Sequence, residues 1–184
     1  MNTYLVLLRG INVGGNTPID MKQLKAAFES LDHQNVRTYI NTGNVIFDSP
    51  TKNRPALIEA IEHKLVETFG IKIPIVLRDK ENIKTLVETF PTSWVNNEEY
   101  KTDILFLWDD YDTPESLSLI KTEPSVDVLM YVQGSIGWCI RRDHYKESGM
   151  SKFIGSALYK NMTARNINTV RKCAAMMWNE TSSS

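Results

Sequence analysis

Short apolar runs alternate along this chain with polar segments spaced like helices. Residues 3–8 are apolar on both faces, Tyr4, Val6 and Leu8 pointing one way and Leu5 and Leu7 the other. That is the pattern of a central strand covered on both sides. A glycine- and asparagine-rich stretch, Arg9-Gly10-Ile11-Asn12-Val13-Gly14-Gly15-Asn16, follows, and Asp20 then stands as a helix cap with Leu24, Ala27, Phe28 and Leu31 as the buried stripe. Residues 36–40 and 45–47 read as a hairpin over Asn41-Thr42-Gly43-Asn44. A second helix spans 53–69, with Leu57, Ile61, Leu65 and Phe69 on one face and Gly70 ending it. Residues 71–77 read as a strand, placed at a sheet edge because Pro74 has no ladder donor. The order β-α-β-β-α-β is ferredoxin-like.

The second half repeats much of this order. After a connecting helix at 79–90 and a polar segment, residues 104–108 read as a strand, 113–120 as a helix opened by Pro114, and 126–132 with 136–140 as a hairpin. Residues 143–162 form an irregular polar segment with a short helix near Lys152, and a last helix is expected over 163–178 with Thr163 as its cap. The expected fold class is therefore α+β: two ferredoxin-like β-α-β-β-α units with antiparallel sheets and helices on one face of each. Residues 1–78 form the first unit, 79–101 the connection, and 102–184 the second unit, which ends on its helix without a final strand. The Ser182-Ser183-Ser184 tail is expected to fray.

Composition narrows the chemistry. A formal net charge of -1 over 184 residues provides no global field toward nucleic acid or membrane. No run is long enough to cross a bilayer, and no basic segment precedes the first apolar run as in a signal peptide. Cys139 and Cys173 form neither a CxxC pair nor a disulfide scaffold, which points to reduced thiols in a cytoplasmic protein. His33, His63 and His144 lie far apart, so no metal and no cofactor is expected. The 10–16 stretch is neither a GxGxxG fingerprint nor a P-loop. The hairpin strands lack the stacking aromatics of an RNA-recognition motif.

Two stretches remain as candidate chemistry. The 9–16 loop joins a strand to a helix, where glycine lets a backbone present N–H groups to a ligand; its competing reading is a loop needing glycine only for left-handed geometry. From 141 to 172 there are eight Lys/Arg against two acids, and Arg165, Asn168 and Lys172 are expected at helical spacing on one side of the last helix. The competing reading there is a solvated cationic face.

Taken together, Arg9-Gly10-Ile11-Asn12-Val13-Gly14-Gly15, Met21 with Leu24, Val36-Arg37-Thr38-Tyr39-Ile40-Asn41-Thr42-Gly43-Asn44-Val45, and Thr163-Ala164-Arg165-Asn166-Ile167-Asn168-Thr169-Val170 resemble the bacterial domain-of-unknown-function family DUF1697 over almost the whole chain. The family pattern has Ser at the position of Thr42 and Trp at that of Ile167. The resemblance implies a two-part α+β fold of ferredoxin-like units and carries no activity.

The function expected from these readings is binding of a small anionic or phosphate-bearing ligand in a cleft between the two units. Arg9, Asn12, Gly14, Gly15 and Asn16 would form one wall, and Arg165, Asn166 and Lys172 the other. An enzyme acting on such a ligand by positioning and electrostatics is the alternative, and a nucleic-acid partner at the basic C-terminal region a less favoured one. The residues specify no oligomeric state.

Overall fold

The structure, a computed structural model, describes residues 1–15 and 17–178. The expected fraying of the serine tail therefore falls outside the described residues. By compactness the chain divides into two units, Met1–Glu81 with the C-terminal stretch from Cys173, and Asn82–Lys172.

In the first unit, β1 (Asn2–Leu8), α1 (Met21–Glu29), β2 (Gln34–Tyr39), β3 (Asn44–Ser49), α2 (Arg54–Phe69) and β4 (Ile75–Asp79) follow one another. The four strands form one sheet in the order β2-β3-β1-β4, every neighbouring pair antiparallel, which is the ferredoxin-like arrangement. Tyr4, Val6 and Leu8 of β1 join Val45, Phe47, Ile75 and Leu77 in one buried cluster with Leu24 and Phe28 of α1 and Leu57, Ile61 and Leu65 of α2. The two helices begin and end where their side chains dictate. Asp20 accepts from the backbone N–H groups of Lys22 at 2.9 Å and Gln23 at 2.8 Å, Asn53 accepts from that of Ala56, and Gly70 closes α2 at φ 70°.

Strand β4 lies at the sheet edge but begins at Ile75, later than the expected residue 71. Pro74 stays outside the ladder and offers only its carbonyl, which accepts from the Arg9 N–H at 2.9 Å. Ile71, expected inside the strand, stands outside it and exposed.

Helix α3 (Lys80–Thr89) follows, and the second unit is built on β5 (Tyr100–Leu107), β6 (Val128–Val132), β7 (Ser135–Arg141) and β8 (Met162–Asn166), in the order β6-β7-β5-β8 and again wholly antiparallel. Three expectations change here. The segment opened by Pro114 is a 3₁₀ helix, Pro114–Leu119, instead of an α-helix. The irregular stretch holds the short helix expected near Lys152 as a 3₁₀ turn, Gly149–Lys152, and two more such turns at Arg142–His144 and Leu158–Asn161. Met150, Phe153 and Leu158 from those turns cover Leu105, Leu107, Ile136, Trp138 and Ile140 of the sheet, where an α-helix would otherwise lie.

The third change is the largest. Residues 163–166 belong to β8, paired with β5 so that Arg165 lies opposite Ile104, and the last helix, α4 (Ile167–Trp178), starts only afterwards. The second unit thus has the final strand that its pattern did not reveal. The cap is Asn166, whose Oδ1 accepts from the Thr169 N–H at 2.9 Å, and Thr163 is a buried strand residue. A five-residue edge strand containing Ala164 and Arg165 carries too little alternation to separate from a helix. Among the described residues no helix is long and apolar enough to cross a membrane.

Candidate functional site

Three connections meet at the end of the first sheet where β1 finishes. The Leu8 N–H donates to the Gly43 carbonyl at 2.8 Å, and the Arg9 N–H to that of Pro74 at 2.9 Å. The chain then enters the loop of residues 9–19, and Asn12 organises it. Its backbone N–H closes the loop on the Thr17 carbonyl at 3.1 Å. Its Nδ2 donates to the carbonyls of Ile19 at 3.1 Å and Asn41 at 2.7 Å, and its Oδ1 accepts from the Ile19 N–H at 2.8 Å. The Asn12 carboxamide is therefore committed to joining the loop to the 40–43 turn.

The turn is built to receive the loop. Gly43 sits at φ 78°, and a Cβ there would lie 2.7 Å from Ile11 Cδ1 and 2.8 Å from Leu8 Cβ, so only glycine allows both the turn and the contact. Asn44, fully buried, donates to the Tyr39 carbonyl and to Thr42 Oγ1. Ile40 is held at φ 49°, a left-handed conformation that is costly for a β-branched side chain, and it remains 47% exposed. Two of the stretches that carry the family resemblance are thus pinned together by side-chain and backbone bonds.

What the frame presents outward is backbone. Gly14 at φ 58° and Gly15 at φ 75° are exposed, with no heavy atom near the place a Cβ would occupy. Among the described residues no acceptor receives their N–H groups. Val13 beside them is 52% exposed, and Arg9 is half-buried at the root of the loop. Asn16, named with them from the sequence, lies outside the described residues.

The remaining expected site residues belong to the second unit. They do not share a helix face, because Arg165 is on β8. It is buried, and its Nη1 donates to Thr163 Oγ1 at 3.0 Å and to the Ala164 carbonyl at 2.8 Å. Asn166 caps α4, and Lys172 is exposed on it. The polar side chains that tie the start of α4, up to Lys172, to the second unit are others: Asn168 donates to the Asn96 carbonyl at 2.8 Å, and Arg171 to those of Trp94 at 2.7 Å and Pro91 at 3.0 Å.

Sequence reasoning also passed over Asp127, a carboxylate only 8% exposed. It accepts from the Glu123 N–H at 2.6 Å, the Gly149 N–H at 2.9 Å, Trp138 Nε1 at 2.9 Å, and the Ser148 hydroxyl. Burial pushes this carboxyl up, but the hydrogen bonds outweigh burial and hold it below its ordinary value. Its signal in the sequence is a lone acid between Val126 and Val128. Cys139 and Cys173 are buried thiols outside any disulfide, and burial raises the first. Among the described residues no three His, Cys, Asp or Glu side chains gather as a metal site.

No curated protein matches the chain. A solved structure, that of the conserved bacterial protein SP0830 from Streptococcus pneumoniae, is similar at 25% identity, covering 96% of this chain and 98% of that one with a TM-score of 0.82. The family described as protein of unknown function DUF1697 matches residues 1–136, and the chain belongs to that family.

Proposed function

We infer that this protein binds a small phosphate-bearing or other anionic ligand at the 9–19 loop of its first unit, in the cytosol. One observation carries this reading. The Asn12 bonds and the Gly43 contact fix the loop, yet Gly14 and Gly15 keep their N–H groups exposed in left-handed geometry with no acceptor among the described residues. Consecutive N–H groups in such turns form a concavity for anions, and a frame fixed beforehand lowers the ordering cost of binding. Arg9 adds a positive charge at the root of the loop. The two thiols outside any disulfide suit a reducing compartment.

Amide NMR tests the reading directly, with inorganic phosphate and then ADP as probes. The Gly14 and Gly15 resonances should shift saturably, and the melting temperature should rise with ligand concentration. Arg9→Met should weaken the response while the other amide resonances keep their positions. If neither probe moves the two glycine amides, the loop is structural and the reading fails.

A further inference from the structure

The second unit carries a feature unrelated to that loop. A cleft of about 570 Å³ opens between the segment after Pro114–Leu119 and the segment around Gly149–Lys152. Small-molecule sites fall at roughly 300–1,000 Å³.

Apolar, charged and hydroxyl side chains line it. Leu119, 47% exposed, and Ile154, 72% exposed, are large apolar groups left in water, with buried Phe153 in the same lining. Lys121 and Lys152 line the cleft as well, and among the described residues neither forms an ion pair. The two acids of the lining are engaged otherwise. Glu123 Oε1 accepts from the Ser125 hydroxyl at 2.8 Å, and Glu147 Oε2 lies 3.2 Å from His144 Nδ1. Neither acid is within ion-pair distance of a lysine of the lining, so both ammonium groups are left for a ligand, next to unburied apolar surface.

The frame of the cleft is fixed. Asp127 binds the N–H groups of both Glu123 and Gly149, which belong to opposite segments. A Cβ on Gly149 would fall 1.7 Å from the Lys121 carbonyl oxygen, so the two backbones approach as closely as glycine permits.

We propose that this cleft binds an amphipathic anion, its carboxylate or phosphate-monoester head between Lys121 and Lys152 and its apolar body along Leu119, Phe153 and Ile154. An ammonium is a compact charge that takes either head group, and a rigid pocket with apolar walls and few polar groups is the usual form of a small-molecule site. Lysines on an ordinary solvated face would need no cleft shared with unburied Leu and Ile.

The test uses amide NMR of the full chain with four probes: octanoate, octyl phosphate, propionate and octanol. Octanoate and octyl phosphate should move the Gly149 and Gly155 amides saturably, and whichever binds tighter identifies the head group. Propionate, lacking the body, and octanol, lacking the charge, should each bind at least about tenfold more weakly. The double variant Lys121→Met with Lys152→Met changes only exposed side chains, so its spectrum should keep the parent pattern. It should bind octanoate about tenfold less tightly, while its octanol affinity stays the same. The proposal is overturned if octanoate leaves Gly149 and Gly155 unmoved, or if it binds no better than octanol. Unchanged octanoate affinity in the double variant overturns it too. A shift confined to Gly14 and Gly15 would place the anion in the first unit and likewise refute the cleft, whereas silence of those two glycines toward phosphate bears only on the loop.

Discussion

Replacing Asp127 with alanine should be among the most damaging single changes in the second unit. The carboxylate is 8% exposed and holds four donors. Two of them, Trp138 Nε1 and the Ser148 hydroxyl, belong to residues with no exposed surface, so water cannot replace the lost acceptor there. A buried donor left unsatisfied costs about 1–3 kcal/mol, which puts these two at roughly 2–6 kcal/mol. Glu123 and Gly149 line the open cleft and their bonds are only part-buried, so water takes over part of their loss. Removing the charge also relieves its own desolvation, which trims the total. The expected loss is about 3–5 kcal/mol, the range found when one partner of a buried charged network is deleted. Urea unfolding followed by tryptophan fluorescence measures it, since Trp138 reports on the site, and the slope should match the parent's. A loss below about 1 kcal/mol would mean that the hydrogen bonds offset nothing more than the cost of burying the acid. The pH dependence gives a second reading of the same quantity. Because the folded carboxyl titrates below its ordinary 3.8, its stabilisation is complete above that value and is lost as pH falls through the folded pKa. The alanine variant should therefore lose less stability than the parent on acidification below pH 3.8.

Three further changes test the description. Leu7→Ala, at a residue 1% exposed, should cost about 2–5 kcal/mol in denaturant titration, and a loss well under about 1 kcal/mol would show that its face of β1 is open. Gly43→Ala should cost about 2–4 kcal/mol, combining left-handed strain with the collision against Leu8 and Ile11, and a variant of parental melting temperature would show that the turn is not locked. Asn166→Ala should cost about 1 kcal/mol by loss of the α4 cap, and an Asn166 variant as stable as the parent would contradict the helix start at Ile167.

The first sheet could be read from the sequence because its signals are redundant. Asp20, Asn53 and Gly70 each mark a helix boundary by a side chain or a φ angle that the structure uses, and the apolar faces of β1 and α2 repeat over enough residues to fix their period. The second sheet has fewer such marks. Its covering layer is made of 3₁₀ turns of three to six residues, too short for any period, and β8 lies in a stretch whose composition suits a helix as well. Of the candidate site, the sequence placed the glycine loop after β1. It could not foretell that Asn12 would spend its carboxamide on Ile19 and Asn41, since that bond joins residues 29 positions apart. Nor could it separate Arg165, bonded within its own strand, from a cation on a helix face, because that distinction depends on where one strand ends.

The division of the last helix between the two units bears on how the chain folds. The segment from Cys173 belongs with the first unit, and within it the Met176 carbonyl accepts from Arg37 Nη1 at 2.6 Å while Trp178 lies under the Lys80 ammonium at 5.3 Å. Emerging from the ribosome, the amino-terminal unit therefore assembles its sheet first but waits for the stretch from Cys173 before it is whole. The intervening unit, contiguous in sequence, can finish before it. Nicking the chain near Cys173 would accordingly weaken the unit synthesised first, and resistance of that unit to denaturant is a measure of whether translation has passed Trp178.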